Sequence, residues 1–250
     1  MSQNFKHYSQ YYDLLYKDKD YQSETDYLTF LISSYLPTAK NIIELGSGTG
    51  KHAKLLAEKG YEVLGLERSS EMVEIANRTV NEGVSFKIAD VSNFEQEQSF
   101  DVALSIFHVI SYLTENEDLI NTFNQVKKHL NTDGLFIFDV WHSPAVHAQI
   151  PEKRVKRLKN SDVEIIRYAT PVIDAERNIV EVNYLIEARN LHNGQISTVE
   201  EKHPMRHFGK PEIELLAYAT GFKLLHCEEF LSKVPPSDET WGVCYVLRKK

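Results

Sequence analysis

The chain has 250 residues, 42% hydrophobic and 26% charged, the proportions of an ordinary folded protein rather than a disordered one. Its 28 Lys and Arg against 36 Asp and Glu give a net charge of −8, without the basic excess that nonspecific nucleic-acid binding rests on. Cys227 and Cys244 are the only cysteines, too few for a disulfide framework or a cysteine zinc site, and no metal site is expected. No apolar run approaches the roughly 18–20 residues that span a bilayer. The first twenty residues lack an apolar core followed by a small-residue cleavage site, so a cytoplasmic protein with no membrane partner is expected.

The first 36 residues read mostly as helix, with Tyr8, Tyr12 and Leu15 and then Tyr27, Phe30 and Leu31 at helical spacings. Ile42–Leu45 is a short buried strand, followed at once by a glycine-rich turn and a helix over Lys51–Lys59 that Gly60 stops. Tyr61–Leu66 reads as a strand, Ser70–Arg78 as a helix capped by Ser69 or Ser70, and Val84–Ala89 and Phe100–Phe107 as strands. A helix from about Glu115 to Leu130 leads through Asp133-Gly134 into a strand at Leu135–Val140. Strands alternating with helices imply right-handed crossovers and a parallel sheet covered on both faces.

After Trp141 the rhythm breaks. Val163–Val172, Ile179–Leu191 and Gln195–His207 read as three long consecutive strands, with a hairpin turn at Asn193-Gly194. A helix over Lys210–Thr220 ends at Gly221, and strands follow near Phe222–Leu231 and Gly242–Leu247. The expected fold is therefore α/β: a doubly wound, Rossmann-like, mostly parallel seven-stranded sheet with an antiparallel β element inserted between the fifth strand and the last helix. The expected organisation is one domain over 1–250: a helical lid over 1–36, a donor-binding core over 37–140, an inserted cap over 141–208, and completion of the core over 209–250. The basic run Lys153, Arg154, Lys156, Arg157 and Lys159 reads first as a solvated face and second as an anion site.

The segment Glu44-Leu45-Gly46-Ser47-Gly48-Thr49-Gly50 carries the most chemistry. Glycines where a strand ends and a helix begins let the backbone turn tightly and approach a ligand. The dinucleotide fingerprint would place its third glycine at position 51, where Lys51 stands. The spacing G-x-G-x-G, with an acid two residues earlier, resembles class I S-adenosylmethionine-dependent methyltransferases. Glu67 at the end of the second strand, Ile88-Ala89-Asp90-Val91 at the third and Phe100–Leu104 at the fourth agree with that resemblance in order and spacing.

The resemblance implies S-adenosylmethionine as cofactor. Glu44, Gly46, Ser47, Gly48 and Gly50 would form its cradle, and Glu67 would accept from both ribose hydroxyls. Arg68, Met72 and Ser105 would complete the cofactor surroundings, and Tyr12 and Tyr21 would close over it from the amino-terminal helix. Asp90 would accept from the adenine amino group, and the Val91 N–H would meet a ring nitrogen. The chain has no Asn/Asp-Pro-Pro-Tyr/Phe after the fourth strand, no Pro-Cys nucleophile, and no acidic cluster there for magnesium. A metal-free transfer to a small-molecule acceptor is what remains.

The opening Tyr11–Tyr21 and the long antiparallel insertion are similar to the dTDP-aminohexose N,N-dimethyltransferases. That similarity implies an amine of a nucleotide-linked amino sugar as acceptor; a hydroxyl of a sugar or other small metabolite is the alternative. A donor-binding module without catalysis is a third reading. His108, Tyr112 and His203 are the candidate catalytic residues. Trp141, His142, Arg206 and Trp241 are the candidate substrate-binding residues, with Trp241 where the resemblance calls for an arginine. The inserted strands suit either a lid or a homodimer interface.

Overall fold

The computed structural model describes residues 14–78 and 82–250. Helix α1 (Tyr21–Tyr35) starts at Asp20, whose carboxylate accepts from the Ser23 N–H at 2.9 Å. Strand β1 (Asn41–Leu45) is buried along nearly its whole length and feeds through Gly50, at φ +78°, into α2 (Lys51–Glu58). Then come β2 (Glu62–Glu67), α3 (Ser70–Asn77), β3 (Val84–Ile88) and β4 (Phe100–Ser105). Ser69 caps α3 by accepting from the Met72 N–H at 3.3 Å. A short 3₁₀ turn at Val109–Tyr112 precedes α4 (Asn116–His129) and β5 (Leu130–His142).

Among the described residues the sheet runs β3-β2-β1-β4-β5 in parallel. Strand β11 (Gly242–Lys249) pairs antiparallel with β5, and β10 (Phe222–Glu229) pairs antiparallel with β11. That is the expected seven-stranded, mostly parallel sheet. Helix α6 (Lys210–Thr220) covers one face with α4, burying Phe123, Ile213 and Ala217 against Phe136, Phe138 and Phe222. Helices α1, α2 and α3 cover the other face, burying Leu28, Leu56 and Val73 against Val63, Val102 and Ile137. Strand β5 is apolar from Leu135 to Trp141, Asp139 apart, because both faces of that stretch are covered.

The insertion has four strands, not three: β6 (Arg154–Lys159), β7 (Val163–Asp174), β8 (Ile179–Asn190) and β9 (Ile196–Phe208). The basic run read as a solvated face is an edge strand, its charges suited to guarding an open edge. A short helix, α5 (Ser143–Ala148), also went unread; Pro144 in its first turn is the cue. The insertion is continuous with the core sheet, because the end of β9 pairs in parallel with Trp141 and His142 of β5. Its inner face buries Leu158, Ile165, Ile186 and Ala188 against Leu15 of the amino-terminal segment.

Phe123 has no exposure and its ring meets Phe136 at 5.2 Å and Phe138 at 5.5 Å. Phe123→Ala is expected to cost about 3–5 kcal/mol in urea denaturation. A loss below about 1 kcal/mol would mean that this core collapses around the hole.

Candidate functional site

The carboxyl ends of β1, β2, β4 and β5 meet where an open α/β sheet binds its ligand. Gly46, Gly48 and Gly50 all have positive φ, +70°, +54° and +78°. At Gly46 a Cβ would stand 2.6 Å from Val109 Cγ2, so the loop after β4 packs directly on the turn. At Gly48 the nearest atom to a Cβ would be Met72 Sδ at 3.9 Å, which leaves its backbone open to a ligand. The Gly46 and Ser47 N–H groups donate to the Leu66 carbonyl at 2.7 and 3.0 Å, tying the turn to β2.

Glu67 is not a solvated loop carboxylate. It is 8% exposed and accepts from the Gly48 N–H at 3.1 Å and the Ser69 N–H at 2.9 Å. Glu44 is buried, and burial pushes its carboxyl up to about 7, with His52 opposing the rise. From Glu44 a chain of contacts runs outward: His52 Nδ1 lies 3.7 Å away, His52 Nε2 is 2.7 Å from Glu24, and Glu24 pairs with Lys19. Tyr21, the first residue of α1, packs its ring against His52 at 5.1 Å. Tyr12 lies outside the described residues.

Among the described residues, Glu44 Oε2, Ser47 Oγ and Ser105 Oγ are buried oxygens without a hydrogen-bond partner. Buried polar atoms left this way call for a ligand. An adenosine with an amino-acid tail fits them: Glu44 suits an ammonium group, and the two hydroxyls suit carboxylate or hydroxyl oxygens. Asp90 is exposed and accepts from the Ser92 N–H and hydroxyl at 2.9 and 2.7 Å, a self-held turn at the end of β3 with Val91 beside it. Arg68 is exposed and Met72 is buried behind the glycine turn.

Across the sheet, Phe107 and His108 both have left-handed backbones, φ +69° and +62°. Two consecutive non-glycine residues there cost about 1–3 kcal/mol each and persist only where neighbours hold them. Asp139 of β5 is the holder. It is 1% exposed, accepts from the His108 N–H at 3.0 Å, and stands 2.7 Å from His108 Nδ1. Burial alone would raise its carboxyl; the His108 contacts hold it below the usual value. Asp139 is the functional residue the sequence reading missed, although one acid inside the apolar run Leu135–Trp141 is the cue.

Tyr112 and His203 meet, hydroxyl to Nδ1, at 2.8 Å, and His203 Nε2 lies 3.0 Å from Glu201. Trp141 sets its ring edge-on to His108 at 6.3 Å and to Trp241 at 5.9 Å, beside Val180 and Val182 of the insertion. His142 and Arg206 are not brought there. His142 faces the Ser237 carbonyl at 3.2 Å, because successive strand residues point to opposite faces. Arg206 donates to Asn116 at 2.7 Å and to Glu212 at 2.6 Å, bracing the starts of α4 and α6.

Among the described residues, no helix is long and apolar enough to cross a membrane, and no three His, Cys, Asp or Glu cluster to hold a metal. Residues 42–134 match the family described as "Methyltransferase domain". YqeM of Bacillus subtilis, named as a methyltransferase without an acceptor, is 25% identical over 98% of this chain and 97% of its own. The dTDP-3-amino-3,6-dideoxy-alpha-D-glucopyranose N,N-dimethyltransferase of Streptomyces fradiae is 25% identical over 85% of this chain and 82% of its own. An S-adenosylmethionine-dependent methyltransferase from Clostridium acetobutylicum superposes with a TM-score of 0.82 at 20% identity, over 98% of both chains. The fold is that of the class I methyltransferases.

A carboxyl raised from 4.5 to about 7 keeps its proton in the folded state, so stability falls as pH climbs through that window. Glu44→Gln is therefore expected to gain stability relative to the parent from about pH 4.5 to 7, with a constant difference above. Thermal melts across that range test it; a pH-independent difference would place the proton elsewhere.

Proposed function

We propose that this chain, whose core is that of an S-adenosylmethionine-dependent methyltransferase acting on a small molecule, methylates the amine of a nucleotide-linked amino sugar. The single observation that carries the methyl-transfer reading is the positive-φ glycine turn, with Glu67 accepting from the Gly48 N–H and a buried Glu44 oxygen left without a partner. When bound, the donor supplies a methyl group made electrophilic by a positively charged sulfur. Gly46–Gly50 and Glu67 would hold that donor, and Glu44 would face its ammonium group.

The chain's own work is positioning and proton removal. Asp139 fixes the His108 ring through Nδ1, which leaves Nε2 as the atom that can take a proton from an acceptor. Trp141 and Trp241 wall the approach to it and can pack against a sugar ring or base. The amino-sugar assignment draws its support from the Streptomyces fradiae relative, which the chain parallels over 85% of its length.

A hydroxyl acceptor is the second reading, and the same dyad favours it. A hydroxyl is a poor nucleophile until a base takes its proton, whereas a free amine reacts without one.

Incubating the protein with S-adenosylmethionine and dTDP-3-amino-3,6-dideoxyglucose should give a product carrying one or two added methyl groups; none across a panel of dTDP-amino sugars removes the substrate claim. His108→Gln is expected to lower kcat by about 10²-fold while donor affinity by calorimetry is unchanged. Glu67→Ala should do the reverse, weakening donor binding by about tenfold or more, as loss of a charged hydrogen-bond acceptor does. If Glu67→Ala binds S-adenosylmethionine as tightly as the parent, the carboxylate has no hand in holding the ribose.

A further inference from the structure

We propose that Glu201, His203 and Tyr112 form a positioning relay through which the inserted sheet holds the His108 loop in its working shape. The proposal rests on the methyl-transfer reading of the same site and assigns a role to three residues that reading does not use.

The loop Phe107–Tyr112 touches every part of the site. Val109 packs on Gly46 of the donor turn. His108 engages Asp139 of β5, the Ser111 N–H donates to the His108 carbonyl at 3.0 Å, and Ser111 Oγ accepts from the Trp141 N–H at 3.1 Å. Tyr112 ends the loop and reaches the insertion at His203 of β9. A backbone with two successive left-handed residues relaxes unless both of its ends are fixed. Asp139 and Gly46 fix the first end. The Trp141 bond to Ser111 and, beyond it, the Tyr112 contact to His203 fix the second.

The direction of the hydrogen bonds follows from the groups themselves. Burial pushes the Tyr112 phenol well above its ordinary range, with Tyr16, Tyr184 and Glu201 adding to the rise and Arg68 opposing it. The phenol keeps its proton, and because a carboxylate at Nε2 can only accept, the neutral His203 ring leaves Nδ1 to accept from that phenol. His203 then carries its own proton on Nε2 and donates to the Glu201 carboxylate. The His203 and Glu201 side chains are 3% and 7% exposed, so the chain is held away from water, where such bonds are stronger and cost most to break. Val182, Tyr184 and Glu201 share the inner face of the insertion with His203, and Arg167 lies over the Tyr184 ring at 4.9 Å. The relay thus ties the inner face of the insertion, rather than its rim, to the loop.

These are positioning residues: their effect reaches the acceptor through His108. Tyr112→Phe and His203→Leu remove the link at either side. His203→Asn keeps an acceptor oxygen near the place of Nδ1 and should rescue it. Hydrogen exchange is read at the His108 and Ser111 amides of the free full-length protein, which needs no acceptor. Tyr112→Phe and His203→Leu are each expected to speed exchange there about tenfold, with the double variant no faster than either single and His203→Asn close to the parent. With dTDP-3-amino-3,6-dideoxyglucose, both variants should lose about tenfold in kcat while S-adenosylmethionine affinity stays within about twofold.

Parental exchange rates in Tyr112→Phe, or an Asn variant as impaired as the Leu variant, would overturn the relay. A fall in donor affinity that matches the fall in kcat would overturn it too. Absence of turnover in the parent protein counts against the amino-sugar assignment alone, because the exchange arm still decides the relay.

Discussion

One buried carboxylate sets the terms for the loop after β4 and what surrounds it. Asp139 sits toward the carboxyl end of β5 with apolar neighbours on either side, a position that an unpaired charge could not occupy. It is tolerated because His108 supplies both a backbone N–H and a ring nitrogen. That same pairing holds Phe107 and His108 in backbone conformations that neither side chain favours. The costs cancel against one another locally: the strained loop satisfies the carboxylate, and the carboxylate keeps the loop strained. A histidine held this way presents one fixed ring nitrogen to whatever enters between the core and the insertion.

The donor half is built on a different logic. Its glycine turn is held by backbone bonds to β2 and by Val109 from the loop after β4, so its shape belongs to the core and does not wait for a ligand. Its ionisable groups are arranged as a file from Glu44 through His52 and Glu24 to Lys19, from the buried end to the segment before α1. Burial penalises the charge on Glu44, and a ligand ammonium would restore it. The file therefore couples what occupies the donor site to the segment before α1, which also packs by way of Leu15 on the insertion.

The parallel core was legible because its signals are local. Each strand is a short apolar run closed by a turn, and Gly46–Gly50 announces both the strand end and the ligand. The pairings that make the acceptor side are not local. Asp139 reads as one acid in a strand until the fold brings it to His108, 31 residues earlier. Tyr112 and His203 were both singled out, yet 91 positions of chain separate them and periodicity says nothing about their meeting. His142 at the end of the fifth strand and Arg206 on the insertion were expected at the site from the elements that carry them, and strand alternation turns them elsewhere. The fourth inserted strand was hidden because an edge strand made mostly of Lys and Arg carries the composition of a loop.

The chemistry of the acceptor side can be narrowed by asking which charges are already committed. Arg206 is held between Asn116 and Glu212, and Lys156 of β6 donates to the Leu15 carbonyl at 2.9 Å. Trp241 donates its indole N–H to Gln149 at 3.0 Å. What surrounds His108 is aromatic instead: Phe107, Trp141 and, behind it, Trp241, with Val180 and Val182 filling the gap to the insertion. Such a wall discriminates by shape and by the apolar face of a ring, with Lys19 Nζ the nearby cation, 4.3 Å from the Phe107 ring centroid.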